Sequence, residues 1–161
     1  NAPYAVAKYG CEKYLEYAHR SYGLPFTAIR QTNAYGRKDN DFFVTEQIIT
    51  QMLKNPKEIN LGYGEPYRNF IGPDNAIKIK DYVKMIADKI GWDGHVNWNT
   101  KPPRPGEIYL LNSTNHKITT RLGWFPKVEL SEGLDRTIAN WKEILERNIP
   151  YNQDRRFSKG K

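Results

Sequence analysis

The chain has 161 residues, a formal net charge of +7 and a composition that is 39% hydrophobic and 27% charged. Such a length allows one domain with a sizeable core, and the absence of any run of about 18 apolar residues argues against a membrane-spanning helix. The excess of positive charge suggests an anionic partner, either a nucleic acid or a nucleotide diphosphate.

The first third of the sequence predicts a helix, a strand, a loop and a second helix. Apolar residues at helical spacing predict a helix over 3–22, with Gly23 as its C-terminal cap. The apolar run 26–30 predicts a short buried strand. A loop rich in Asn, Gly and Asp over 31–40 leads to a helix over 42–53, which a Pro stops.

The middle of the sequence predicts strands around a single helix. Alternating apolar residues predict strands near 59–61 and 68–71, joined by a Gly-rich turn. A helix is expected over 77–90, capped by Gly91, and a short strand over 96–98. The residues of this helix expected to face the core are Ile79, Tyr82, Val83 and Ile86.

The last third of the sequence predicts two helices and a basic tail. A short helix is expected over 115–122, ended by Gly123, and Ser131 is the expected N-cap of a helix that reaches Glu146. The tail, 151–161, lacks apolar periodicity. The expected core residues of the last helix are Leu134, Ile138, Trp141 and Leu145. Strands alternating with helices indicate an α/β fold.

The cysteine and histidine content limits the chemistry. The single cysteine, Cys11, excludes an internal disulfide and favours a reducing compartment, so we expect a cytoplasmic protein. No basic and apolar leader is recognised at the start of the chain. The histidines lack metal-ligand spacing, so no metal site is expected; they are His19, His95 and His116.

Tyr4 and Lys8 are the strongest candidates for chemistry. Residues four apart on a helix project from the same face, one turn apart. A cation beside a phenol favours the phenolate, which lets the phenol take and return a proton near neutral pH. Hydride transfer to or from a sugar hydroxyl needs such a pair. No Gly-x-Gly-x-x-Gly motif follows a predicted strand, so the chain itself supplies no dinucleotide-phosphate loop.

The order of motifs resembles the C-terminal half of an extended short-chain dehydrogenase/reductase, in the NAD-dependent nucleotide-sugar epimerase/dehydratase family. The stretches that carry this resemblance are Tyr-x-x-x-Lys in 1–8, Arg-x-x-Asn-x-Tyr-Gly in 30–36, Gly-x-Gly…Arg-Asn-Phe in 61–71 with Asn69 in place of the usual Asp, Arg-Pro-Gly-Glu in 104–107, and Leu-Gly-Trp-x-Pro in 122–126. The implied fold is part of a Rossmann-type doubly wound parallel sheet plus a small α/β substrate-binding domain.

The resemblance implies a role for each candidate residue. Tyr4 is the expected acid/base, and Lys8 is expected to bind the nicotinamide ribose of NAD, with NADP left open. Asn33 is expected to contact the nucleotide-sugar, since it lies in a loop after a predicted strand. Arg68 is expected to fork onto the diphosphate.

Arg104 is expected to contact the diphosphate or a ribose, and Glu107 to hold a ribose hydroxyl. The implied domains are 1–56, the end of the dinucleotide-binding domain; 57–150, the substrate domain; and 151–161, the tail. A homodimer is expected through the helices near 4–22 and 42–54, without membrane or nucleic-acid contact.

Two departures and two alternatives accompany the resemblance. The first half of the family's pattern is missing, and Ile71 joins Gly72 directly where the family has about 30 further residues. Epimerisation and 4,6-dehydration of a nucleotide-linked hexose both remain open. The alternative from another class is a noncatalytic remnant that binds a nucleotide-sugar or a nucleic acid.

Overall fold

The computed structural model describes residues 2–70, 76–103 and 105–153. Contacts divide the chain into two compact units, Asn1–Gln31 and Thr32–Lys161. None of the helices in the described ranges has the length and apolar character needed to cross a membrane. The functional domain boundaries near residues 56 and 150 stay predictions.

The first unit is built on one long helix. Helix α1 (Ala2–Tyr22) ends where Gly23 adopts a φ of +68° and its N–H donates to the His19 carbonyl at 2.9 Å, which confirms the predicted helix and cap. The strand predicted over 26–30 is wrong, because that segment has no strand partner among the described residues. A strand forms only where a neighbour takes its main-chain hydrogen bonds.

The second unit contains the remaining helices and all of the strands that the structure describes. The predicted alternation of helices and strands is confirmed in outline. The elements are α2 (Val44–Lys54), β1 (Glu58–Asn60), β2 (Tyr67–Arg68), β3 (Ile77–Lys78), α3 (Ile79–Ile90), β4 (His95–Asn97), β5 (Leu110–Leu111), α4 (His116–Leu122) and α5 (Leu130–Glu146).

The strands form two small sheets in which parallel pairing recurs. β1 pairs with β4 in parallel, with Ile59 opposite Val96. The other sheet has the order β3-β2-β5, in which β2 runs antiparallel to β3 and parallel to β5. Tyr67 lies opposite Leu110 in the parallel pair. The α/β prediction is therefore confirmed, and β5 is a strand that the sequence did not predict.

Three helices enclose the core of the second unit. α2 contacts α3, α5 and β1, and α3 contacts α5. Each of the three helices turns an apolar stripe inward, as their periodicity predicts. The buried residues on these stripes are Ile48, Ile49, Met52, Tyr82, Val83, Ile86, Leu134, Ile138, Trp141 and Ile144.

Several predicted details differ at the ends of elements. Ile77 and Lys78 pair with β2, so α3 begins only at Ile79, which is half-buried rather than part of the core. Ser131 lies inside α5, whose N-cap is Glu129. Leu145 is half-buried because the helical period brings its neighbour Ile144 onto the core face.

Candidate functional site

The Tyr4 and Lys8 side chains share one face of α1. The Lys8 ammonium lies 5.7 Å from the centroid of the Tyr4 ring, within the range of a cation–π contact. Tyr4 is 69% exposed and Lys8 is exposed as well, so a ligand can reach both end groups. The pair fits part of an NAD site, because it combines a cation that can donate to ribose hydroxyls with a phenol that can exchange a proton.

The Arg30 side chain fastens the segment after α1 back onto that helix. Its Nε donates to Glu12 Oε1 at 2.9 Å, and its Nη2 donates to Glu12 Oε2 at 2.5 Å. The hydrogen bonds from Arg30 hold the pKa of the Glu12 carboxyl below its usual range. The arginine that opens the Arg-x-x-Asn-x-Tyr-Gly motif is thus occupied within the first unit.

Asn33 lies beside the end of β2 in the second unit. It forms an isolated parallel bridge with Phe70, and its Nδ2 donates to the main-chain oxygen of Asn69 at 3.0 Å. The expectation that Asn33 follows a strand is wrong, since residues 26–30 are not one. Its contact with a nucleotide-sugar stays a prediction.

Asn69 extends this connection to a third segment. It is 2% exposed, and its Nδ2 donates to the Ser113 carbonyl at 3.0 Å. Its Oδ1 is buried without a hydrogen-bond partner in the part of the chain that the structure describes. Asn33 and Asn69 therefore tie the loop after residue 31, the end of β2 and the segment after β5 to one another.

Arg68 and Glu107 form an ion pair beside the paired strands β2 and β5. Arg68 Nη2 donates to Glu107 Oε1, and Arg68 Nη1 donates to the Tyr67 carbonyl at 2.8 Å. The side chains are 17% and 27% exposed, respectively. Two residues that the sequence assigned separately to a diphosphate and a ribose thus meet each other in the folded chain.

The sequence did not identify Glu46 as part of this region. Its side chain is fully buried, and Oε1 accepts hydrogen bonds from the main-chain N–H groups of Gly36 and Arg37 at 2.8 and 3.0 Å. Burial raises the pKa of the Glu46 carboxyl, against these hydrogen bonds. A carboxylate at the start of a helix, just after a Gly-containing loop, was the available signal.

Tyr35 closes the same loop against α5. Burial raises the pKa of its phenol. A Cβ added to Gly133 would lie 2.2 Å from the Tyr35 hydroxyl oxygen, so the loop and the helix are in close contact. Gly36, with a φ of +92°, takes a left-handed conformation that favours glycine.

Arg104 and the junction between Ile71 and Gly72 lie outside the described residues, so their predictions are not addressed by the structure. Within the described ranges, no group of three or more His, Cys, Asp or Glu residues could hold a metal ion.

Comparison with known proteins gives a family for this chain. Residues 1–89 match the model of the NAD dependent epimerase/dehydratase family. A Methanocaldococcus jannaschii protein assigned as a UDP-glucose 4-epimerase is 28% identical over 165 residues, which cover 87% of this chain and 53% of that protein.

Solved structures have the same fold. The UDP-glucose 4-epimerase of Thermotoga maritima, solved with UDP-glucose, is 28% identical with a TM-score of 0.81 and covers 89% of this chain and 54% of its own. The dTDP-glucose 4,6-dehydratase of Streptomyces venezuelae, solved with NAD, is 22% identical with a TM-score of 0.77, covering 88% and 51%. These likenesses confirm the Rossmann-type α/β fold.

The match extends over part of each relative. The chain spans about half the length of the curated relatives it matches. The family model covers more than half of this chain, and it includes the Tyr-x-x-x-Lys helix and Arg68. The chain belongs to the NAD-dependent epimerase/dehydratase family.

Proposed function

We propose that the protein containing this chain is an NAD-dependent enzyme that transiently oxidises a hexose hydroxyl of a nucleotide-sugar. The observation that carries the proposal is the exposed pair of Tyr4 and Lys8 on α1, within a stretch that matches the family. Relatives solved with UDP-glucose or with NAD support the choice of ligands. NADP is the alternative cofactor.

The Tyr4 phenol exchanges the proton of the reaction. Its oxygen takes the proton of a sugar hydroxyl as the neighbouring carbon is oxidised, and it returns the proton when that carbon is reduced. The chemistry that NAD supplies when bound is reversible acceptance of a hydride. Lys8 holds ribose hydroxyls with its N–H donors, and its ammonium lies 5.7 Å from the centroid of the Tyr4 ring.

The second unit supplies the contacts to the substrate. Arg68 binds the diphosphate, because a planar guanidinium can present two parallel N–H donors to phosphate oxygens. Arg104 joins it at the diphosphate or at a ribose, and Glu107 accepts hydrogen bonds from ribose hydroxyls. Asn33 contacts the nucleotide-sugar with its amide.

Two outcomes of the oxidation fit the same residues. Rotation of the 4-keto sugar before hydride return inverts the carbon and gives an epimerase. Loss of water across the C5–C6 bond before hydride return gives a 4,6-dehydratase. The relatives include an assigned epimerase and a dehydratase, and both activities therefore belong in the assay.

Replacement of one tyrosine tests the proposal. Tyr4→Phe in the intact polypeptide is expected to lower kcat by about 10²- to 10⁴-fold, while the affinity for the nucleotide-sugar stays unchanged. Tyr14→Phe is the matched control, because Tyr14 lies on the same helix and is also 69% exposed. Turnover is measured with NAD and with UDP-glucose or dTDP-glucose as substrates.

Near-normal turnover of the Tyr4→Phe variant would contradict the proposed role of Tyr4. Failure of the intact polypeptide to bind NAD would instead favour the noncatalytic binding module. A steep loss of binding with added salt would then indicate a nucleic-acid ligand.

The proposal includes a homodimer formed through α1 and α2. Its support is the apolar surface on α1, where Tyr9 is 57% and Tyr17 52% exposed. Contiguous exposed apolar surface is typical of an interface. Sedimentation at increasing concentration measures the assembly state, and a protein that stays monomeric excludes the dimer. A cytoplasmic location, supported by the free thiol of Cys11, is proposed as well.

A further inference from the structure

The Arg68–Glu107 ion pair connects two predicted ligand contacts to each other. It arises from the sheet: Tyr67 and Arg68 pair in parallel with Leu110 and Leu111, and the Tyr67 N–H donates to the Tyr109 carbonyl at 2.8 Å. Arg68 lies opposite Leu111 in this register, and its guanidinium contacts Glu107, which precedes β5 in the chain. The β2–β5 pairing therefore holds the two segments that carry the ion pair next to each other.

Loss of either partner of the Arg68–Glu107 ion pair is unfavourable for the partner that remains. Both side chains are more than two-thirds shielded from solvent, so each charge has lost much of its hydration. An ionised group that is partly buried and loses its partner is left with an uncompensated desolvation cost. A ligand that breaks the ion pair must therefore offer a hydrogen-bonding partner to Glu107 as well as to Arg68.

We propose that the Arg68–Glu107 ion pair selects for ligands that carry both a diphosphate and a sugar diol. The inference rests on the proposed function, in which Arg68 contacts the diphosphate and Glu107 the ribose. The diphosphate replaces the Glu107 carboxylate at Arg68, and the ribose hydroxyls donate to the carboxylate that is released. A ligand with phosphates alone leaves Glu107 without a partner and binds less well.

The same geometry gives Glu107 a second role in the absence of substrate. Its carboxylate neutralises the guanidinium and competes with any anion that approaches Arg68. Inorganic phosphates lack hydroxyl groups on a ribose to offset this competition. Glu107 is thus a specificity-determining residue as well as a predicted ribose contact.

Substitution of the carboxylate by an amide separates these effects. Glu107→Gln keeps the shape of the side chain and removes its charge. We expect inorganic pyrophosphate to bind about two- to five-fold more tightly to this variant, the range that corresponds to loss of one partly exposed ion pair. The preference for a nucleoside diphosphate over pyrophosphate is expected to narrow by at least the same factor.

The measurement uses calorimetry on the intact polypeptide. The probes are inorganic pyrophosphate and whichever of UDP, dTDP, GDP and CDP binds most tightly. Glu132→Gln is the matched control: it removes the same charge from an exposed ion pair with Arg136 elsewhere in the second unit. Its pyrophosphate affinity reports the general effect of net charge, and the effect of Glu107→Gln must exceed it.

The outcomes distinguish this inference from the function on which it rests. If nucleotides bind but Glu107→Gln leaves pyrophosphate affinity at the level of the control or weakens it, the selection by the ion pair is overturned. If none of the nucleotides binds, or if Arg68→Gln leaves nucleotide affinity unchanged, the proposed substrate site fails first. A tighter complex with pyrophosphate together with a narrower preference supports the inference.

Discussion

Helices α1 and α5 have apolar residues at helical spacing, yet they bury them to different extents. Leu134 and Trp141 of α5 are fully buried in the core of the second unit. Tyr4 and Tyr14 of α1 are each 69% exposed in a unit that consists of the helix and the segment after it. An apolar stripe in the sequence thus identifies a helix face that can be buried, and the neighbouring elements determine whether it is.

The two helices indicate that folding stability depends mainly on the second unit, whereas the proposed proton transfer depends on the first. In its described residues the second unit contains three packed helices and two small sheets, so its folding has a hydrophobic core to drive it. The first unit presents the Tyr4 and Lys8 side chains on an open helix face. Substitutions in α5 are therefore expected to act on folding, and substitutions of Tyr4 and Lys8 on turnover and on cofactor binding.

Trp141→Ala is the substitution with the largest expected effect on this comparison. The side chain is fully buried and packs edge-on against Tyr151 at a centroid distance of 4.9 Å. Its truncation leaves a large cavity and is expected to lower the free energy of unfolding by about 3–5 kcal/mol. Urea unfolding followed by circular dichroism measures the change.

Tyr14→Ala is the matched control on α1, where we expect a change within about 0.5 kcal/mol in the monomer, at concentrations too low for the proposed homodimer to form. If Trp141→Ala prevents folding, Ile138→Val supplies a milder test with an expected loss of about 0.5–1.5 kcal/mol. A loss for Tyr14→Ala in the monomer as large as that for the core variant would remove the contrast between the helices, whereas a loss that appears only at high protein concentration would be due to the proposed homodimer.

A pair of glycine substitutions tests the difference in packing between α5 and α1. Gly133→Ala in α5 would place a methyl group 2.2 Å from the Tyr35 hydroxyl oxygen, whereas Gly10→Ala in α1 meets no atom within 4 Å. We expect the first to destabilise by about 1–3 kcal/mol through overpacking. The second is expected to stabilise α1 by about 0.5–1 kcal/mol, because alanine loses less backbone freedom in a helix. Thermal unfolding measures the first change, and amide hydrogen exchange along α1 measures the second.

Tyr35→Phe provides the control for the contact. Combined with Gly133→Ala, it removes the nearest oxygen and is expected to restore part of the lost stability. Equal effects of the two glycine substitutions would show that α5 is not held closely against the loop.

The sequence predicted the helices better than it predicted contacts between distant segments. The periods of α3 and α5 were sufficient to identify Tyr82 and Trp141 as core residues, because local spacing decides which face is apolar. The wrong strand over 26–30 shows the limit: apolar character is local, whereas strand formation depends on a partner. β5 was not predicted for the same reason, since its two residues become a strand only through their register with β2.

The candidate site shows the same difference between local spacing and contacts of distant segments. The Tyr4–Lys8 pair could be read from spacing on one helix. The Arg68–Glu107 ion pair could not, because it joins residues 39 positions apart whose segments are brought together by the pairing of β2 with β5. Glu46 is buried because the loop at Gly36 folds back over the start of α2, and single-residue polarity predicts the opposite.

Two surface glutamates provide the prediction with the smallest expected effect. Glu65 in the second unit pairs with Lys78 and Lys80, and the hydrogen bond from Lys78 lowers the pKa of its carboxyl to about 2. A depressed pKa in the folded state stabilises the protein above the ordinary value of 4.5, and this contribution is lost as the pH falls towards 2. The Glu65→Gln variant is therefore expected to have a lower free energy of unfolding than the parent near neutral pH, and an equal one at a pH below the depressed pKa.

Glu12→Gln is the control from the first unit. Arg30 lowers the pKa of the Glu12 carboxyl in the same direction, but this pair fastens only the segment after α1. Since global unfolding reports the packed core, we expect its pH dependence to change in the Glu65 variant and to stay close to that of the parent in the Glu12 variant. Urea unfolding at a series of pH values measures both. An equal change in the two variants would mean that the two units unfold together. Substitutions in the first unit would then affect folding as well as turnover.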